Sequence, residues 1–152
     1  MKIEGTFTMK APLQKVWDFL MEPGTLASCI PGAEKMEAVD DTTWEGIVKQ
    51  RVGPIGVKIN FTQTLSEVQP PKHLKAVGRG AAMGGAGTFT KETIVDLKEI
   101  AGGEVEVAYS SNVSMVGRLA TFGERIMRAK VNKVGAEFTQ NLQKKLESRV
   151  GG

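Results

Sequence analysis

Residues 2–9 alternate strictly, with Ile3, Gly5, Phe7 and Met9 on one side and Lys2, Glu4, Thr6 and Thr8 on the other. A period of two is that of a strand with one buried face. The period then lengthens. In LQKVWDFL, Val16, Trp17, Phe19 and Leu20 give a helical apolar face, opened by Pro12, whose fixed φ suits a first turn. Pro23-Gly24 stops this helix, TLASCI predicts a second short one, and Pro31-Gly32 ends that in turn.

Between residues 33 and 116 the two-residue period returns. The runs EKMEAV, TTWEGIVKQRV, VKINFTQTLSEV, HLKAVGRG, GTFTKETIVDLKEI and EVEVAYSSNVSMV predict six antiparallel strands, punctuated by Asp40-Asp41, Pro54, Pro70-Pro71 and Gly102-Gly103. In the last run Val105, Val107, Tyr109, Ser111, Val113 and Met115 share a face. Beyond Gly117, apolar residues recur at three- and four-residue steps: Leu119, Phe122, Ile126, Val134, Phe138, Leu142 and Leu146, with Met127 and Val131 widening the stripe. One amphipathic helix of about 30 residues, roughly 45 Å long, is expected.

A sheet with one apolar face needs a cover, and only the C-terminal helix is large enough. The expected fold class is therefore α+β. It is a helix-grip, in which a seven-stranded antiparallel sheet curls around a long C-terminal helix, with two short helices after the first strand and an internal hydrophobic cavity. No repeat or linker divides the chain, so residues 1–152 are read as one domain.

Composition narrows the chemistry. A chain of 152 residues can bury a core unaided, and its single cysteine excludes an internal disulfide or an all-cysteine metal cage. MKIEGTFTMK has no apolar run after its first lysine, and no segment approaches the ~18 apolar residues of a membrane span, so a soluble cytoplasmic protein is expected. The net charge of +3 is uneven: residues 117–152 carry eight basic against three acidic side chains.

No catalytic set emerges. Cys29, in CIPGAE, has no base assigned to it; the lone His73 belongs to another connection, and a small buried thiol is expected. GRGAAMGGAG leads into a strand rather than a helix, which speaks against a phosphate cradle and for sheet curvature or close approach of a ligand or helix. Carboxylates and histidine lack metal-ligand spacing. The aromatics of the basic segment, Phe122 and Phe138, lie on its apolar stripe, so nucleic acid is not an expected partner. What remains is an apolar interior: a ligand cavity, or the same residues filling a solid core.

Four stretches carry a resemblance: APLQKVWDFL at 11–20, CIPGAE at 29–34, VGPIGVKINF at 52–61 and VGRLATFGERIM at 116–127. Together they run almost end to end. The chain resembles the family of the carbon monoxide dehydrogenase G subunit, within the START-like, polyketide-cyclase-related helix-grip superfamily. The resemblance implies a non-enzymatic accessory protein of a molybdenum-containing carbon monoxide dehydrogenase or related hydroxylase, serving membrane recruitment or quinone delivery. It implies no cofactor; an isoprenoid quinone or lipid would be cargo. The other readings of this scaffold are a small cyclase/dehydratase-type enzyme and a general lipid-binding module.

The pocket residues expected on the facing segments are Trp44, Phe61, Tyr109, Val113, Met115, Phe122, Ile126 and Met127, with Tyr109 as the polar handle for a quinone carbonyl. Longer family members have a linker and an apolar or amphipathic C-terminal tail, where this sequence reads Arg149-Val150-Gly151-Gly152. With Arg125, Arg128, Lys130, Lys133, Lys144, Lys145 and Arg149 as a surface stripe, the expectation is transient, salt-sensitive contact with anionic membrane, or an acidic protein partner.

Overall fold

The computed structural model describes residues 1–52, 54–85 and 87–151; the side chains of Leu119, Arg149 and Val150 lie outside the described set. Seven strands follow the predicted runs closely: β1 (Lys2–Met9), β2 (Ala33–Ala38), β3 (Thr43–Val52), β4 (Ile55–Gln69), β5 (His73–Ala82), β6 (Gly87–Ile100) and β7 (Glu104–Val116). They form one antiparallel sheet in the order β1-β7-β6-β5-β4-β3-β2. Each neighbour from β2 to β7 is a hairpin, and β1 returns to pair with β7, Gly5 opposite Tyr109.

Two short helices, α1 (Leu13–Leu20) and α2 (Pro23–Cys29), connect β1 to β2. Pro23-Gly24 does more than end α1. Pro23 is the first residue of α2, a position where its missing N–H costs nothing, and the break falls at Met21 and Glu22. Pro12 likewise stands just outside α1 in extended conformation.

Gly32 closes this unit. Its φ is +82°, its carbonyl accepts the Lys49 N–H at 2.8 Å, and a Cβ there would collide with the Lys49 carbonyl oxygen. Positive φ costs an L-residue ~1–2 kcal/mol before any collision. Gly32→Ala is therefore expected to lower stability by about 2–4 kcal/mol, read as a lower urea midpoint at unchanged slope. An unchanged midpoint would mean that the β2 entry is not built as described.

The C-terminal region departs from a single helix. A one-turn α3 (Arg118–Thr121) comes first, Gly123 at φ +83° breaks the chain, and α4 (Glu124–Gly151) runs for 28 residues. Its buried line is Met127, Leu142 and Leu146, with Val131 and Phe138 partly buried between them, whereas Ile126 is 51% exposed. The apolar stripe is broad in sequence, and docking selects only its centre.

Two apolar clusters hold the layers together. The larger joins Met9, Val16, Trp17, Phe19, Cys29, Leu97, Val105, Val107, Leu142 and Leu146. The smaller joins Val52, Val57, Ala82 and Met127, with Met115 and Phe122 against it. Polar contacts fix α4 in place. Asn141 Nδ2 donates to the Cys29 carbonyl at 3.0 Å, Lys145 bonds Ser28 Oγ, and Gln143 and Arg128 donate to the carbonyls of Thr8 and Lys2 at 2.7 and 2.6 Å.

Candidate ligand cavity

Reading along β7 locates the space between the clusters. Val105 and Val107 belong to the larger cluster, Tyr109, Ser111 and Val113 line a cavity, and Met115 belongs to the smaller cluster. The inner line of α4 repeats the sequence: Leu146 and Leu142 in the core, Phe138, Gly135 and Val131 on the cavity, then Met127. The cavity measures about 320 Å³, and its wall is mostly apolar, including Ile3, Phe7, Leu20, Leu26, Trp44, Leu65, Leu74 and Val95. That size and lining suit a small hydrophobic ligand.

Gly135 leaves room where α4 borders the cavity. Glycine in a helix interior costs ~1 kcal/mol relative to alanine, yet a Cβ here would meet no atom within 4 Å. The helix face is open here, where the cavity and the neighbouring surface groove share Gly135.

A surface groove adjoins the cavity between the edge strand β1 and α4. Arg128 and Gln143 tie α4 to Lys2 and Thr8 at the two ends of β1. Between these ties the groove, bordered by Thr6, Lys133, Ala136 and Gln140, shares Phe7, Tyr109, Asn132, Gly135 and Thr139 with the cavity. The Phe7 and Tyr109 rings stand 6.2 Å apart at 49°, and the Tyr109 hydroxyl occupies the place of the side chain that Gly5 lacks, 2.7 Å from where its Cβ would be.

The eight expected pocket residues divide. Trp44, Tyr109 and Val113 line the cavity. Met115, Phe122 and Met127 pack with the smaller cluster instead, against Val52, Val57 and Ala82 of β3, β4 and β5. Phe61 has inward parity, but its ring lies over Gly46, 2.8 Å from where a Cβ would stand, as Phe89 covers Gly80. Both rings border an open groove on the sheet, whose other walls include the outward-facing Lys35, Glu45, Asn60 and Arg79. Ile126 stands outside the cavity on the exposed side of α4.

Six polar residues of the cavity wall were not singled out as ligand contacts from sequence: Gln63, Lys91, Thr93, Ser111, Asn132 and Thr139. Thr93 and Ser111 bond each other at 2.8 Å. Lys91 is half-buried and lines the cavity. Desolvation there draws its pKa below the ordinary lysine value. A signal was present: in GTFTKETIVDL, Lys91 shares its parity with Phe89, Val95 and Leu97.

Cys29 is 1% exposed within the larger cluster. His73 is engaged elsewhere, its Nδ1 2.6 Å from Asp96 and its Nε2 3.2 Å from Glu67; these carboxylates, Asp96 foremost, raise its pKa. A cysteine–histidine pair is thereby excluded. Among the described residues, no group of three or more His, Cys, Asp or Glu is placed to hold a metal, and no helix is long and apolar enough to cross a membrane.

The basic residues of α4 do not form one free row. Arg128 bonds Glu124 at 2.8 Å, Lys145 bonds Ser28, and Arg125, Lys133 and Lys144 are exposed. Arg149 lies outside the described side chains.

The family model for the G subunit of carbon monoxide dehydrogenase (CoxG) matches residues 5–147. The chain belongs to that family. No curated protein matches it. Among solved structures, a conserved protein from Geobacillus kaustophilus superposes with a TM-score of 0.89 at 22% identity, covering 97% of this chain and 96% of that one. A START superfamily protein from Mycobacterium smegmatis gives 0.74 at 7%, covering 97% of each. The aromatase/cyclase ZhuI from Streptomyces sp. R1128 gives 0.71 at 15%, covering 99% and 95%. At these identities the likeness is one of fold, a START-like scaffold. This CoxG family member carries its cavity between α4 and the sheet, with the surface groove beside β1.

Proposed function

We propose that the protein is a non-catalytic carrier that takes a hydrophobic, quinone-like molecule into the cavity under α4. It would deliver that molecule to a molybdenum-containing carbon monoxide dehydrogenase or a related hydroxylase. The observation that carries this reading is a mostly apolar cavity under α4, adjoined by a surface groove that shares the aromatic pair Phe7 and Tyr109. Family membership supplies the dehydrogenase. A prenyl tail leaving lipid for water would lose ~0.8 kcal/mol per methylene. An apolar host removes most of that loss, so exchange with a bilayer stays close to neutral and reversible.

Tyr109 is the hydroxyl donor at the groove, which the exposed Lys133 and Glu137 both border. Each basic residue near an anionic surface adds at most ~1 kcal/mol, decaying over a Debye length, so membrane contact would be brief and salt-sensitive. That suits collection of cargo rather than permanent attachment.

Native mass spectrometry of protein purified without detergent tests the carrier reading. A co-purifying mass that organic extraction releases as a prenylated quinone supports it. Protein that stays at its bare mass, and takes up no short-chain quinone on incubation, refutes it. The second reading, a cyclase/dehydratase-type enzyme, draws on the aromatase/cyclase neighbour and on the ionisable Lys91 and Tyr109 in the cavity wall. It requires the incubated molecule to be recovered chemically altered.

A further inference from the structure

Across the middle of the inner face, strand pairing sets Trp44, Gln63, Gly78, Lys91 and Val113 in one row. Gly78 contributes no side chain. Gln63 and Lys91, two strand spacings or ~10 Å apart at the backbone, therefore face each other across a notch. The lysine stem lies along it: a Cβ at Gly78 would touch Lys91 Cβ at 3.7 Å and Cε at 3.8 Å.

Charge on this row is unbalanced. The sheet's Lys58 and Lys75 have carboxylates at 3.0 and 2.9 Å, from Glu34 and Glu92. Among the described residues Lys91 has no carboxylate within ion-pair distance, and the cavity wall holds no Asp or Glu. The neighbouring Thr93 and Ser111 spend a hydrogen bond on each other. An ammonium taken out of water without a partner is unfavourable unless something else supplies charge or acceptors. The depressed pKa of Lys91 is the same strain seen from the proton's side.

We propose that Lys91, with Gln63 across the Gly78 notch, anchors the ligand's head group, so that the cavity selects a hydrophobic molecule ending in an electron-rich oxygen. Two sources share that chemistry, the carboxylate of a fatty acid and the ring carbonyl of a quinone. The proposal rests on the cavity being the ligand site, and its test separates the two ideas.

Displacement of Nile red is measured for dodecanoic acid, a decyl-substituted benzoquinone and decylbenzene, which has no oxygen. Wild-type protein is expected to bind one or both oxygen-bearing probes about tenfold or more tighter than decylbenzene. Lys91→Met should erase that preference while decylbenzene binds as well as before, and Lys91→Arg should restore it for the acid. Gln63→Leu should reduce it less. Preference for the acid identifies a carboxylate ligand and preference for the quinone a carbonyl ligand; either supports the anchor. Equal ranking of the three probes in wild type and Lys91→Met, with decylbenzene still bound, overturns the anchor and leaves the cavity reading standing. Failure of Nile red and all three probes to bind the folded wild-type protein overturns both.

Discussion

Gly135→Phe is expected to abolish ligand uptake, with at least a ~100-fold loss of affinity, while the protein remains folded. The position borders the 320 Å³ cavity, and nothing stands within 4 Å of the Cβ to be displaced by the first atom added. A benzyl group there occupies the room a ligand ring would need. The substitution also removes a mid-helix glycine, worth up to ~1 kcal/mol, and buries apolar surface. Loss of binding would then come with equal or greater stability, which separates blocking from unfolding. Gly135→Ala is the control: stability should rise by about 0.5–1 kcal/mol with most of the cavity intact. Titration with a fluorescent apolar probe, alongside thermal unfolding, gives both quantities. A phenylalanine variant that binds like wild type would place the ligand outside this cavity.

Leu142→Ala is expected to cost about 3–4 kcal/mol. Leu142 has no exposed surface and packs in the cluster that joins α4 to α1, α2 and the sheet through Val16, Trp17, Cys29 and Val105. Its truncation leaves a void where three layers meet. Ile126, on the same predicted stripe but 51% exposed, should tolerate alanine within about 0.5 kcal/mol. Urea unfolding of the two variants measures the contrast. Similar losses at both positions would mean that α4 docks with a different face inward.

Much of the architecture was legible because its signals are local. Alternation marked all seven strands to within about two residues of their observed ends, and Val105 to Val113 share the inner face as the period of two requires. Pro23 and Gly123 show where local reading misleads. A proline can end one helix and begin the next, and a single glycine at positive φ separates α3 from α4 although the apolar steps run across it. Docking then chose the face of α4. Leu142 and Leu146 are held by α1, α2 and the sheet, which rotates Ile126 outward.

By itself the sequence determined the order of elements, the inward parity of β7, the family and an apolar interior, since each depends on neighbouring residues or on motifs read in line. Only the tertiary structure decided where that interior stays empty. Met115, Phe122 and Met127 are as apolar as Trp44 and Val113, but they pack with Val52, Val57 and Ala82 instead of lining the cavity. Gly135 became a cavity wall because α4 lies over that part of the sheet, and Lys91 became the cavity's charged group because its row places it beside Gly78. A lysine in an alternating strand carries no mark of its partners; pairing across five strands determines whether a carboxylate is within reach.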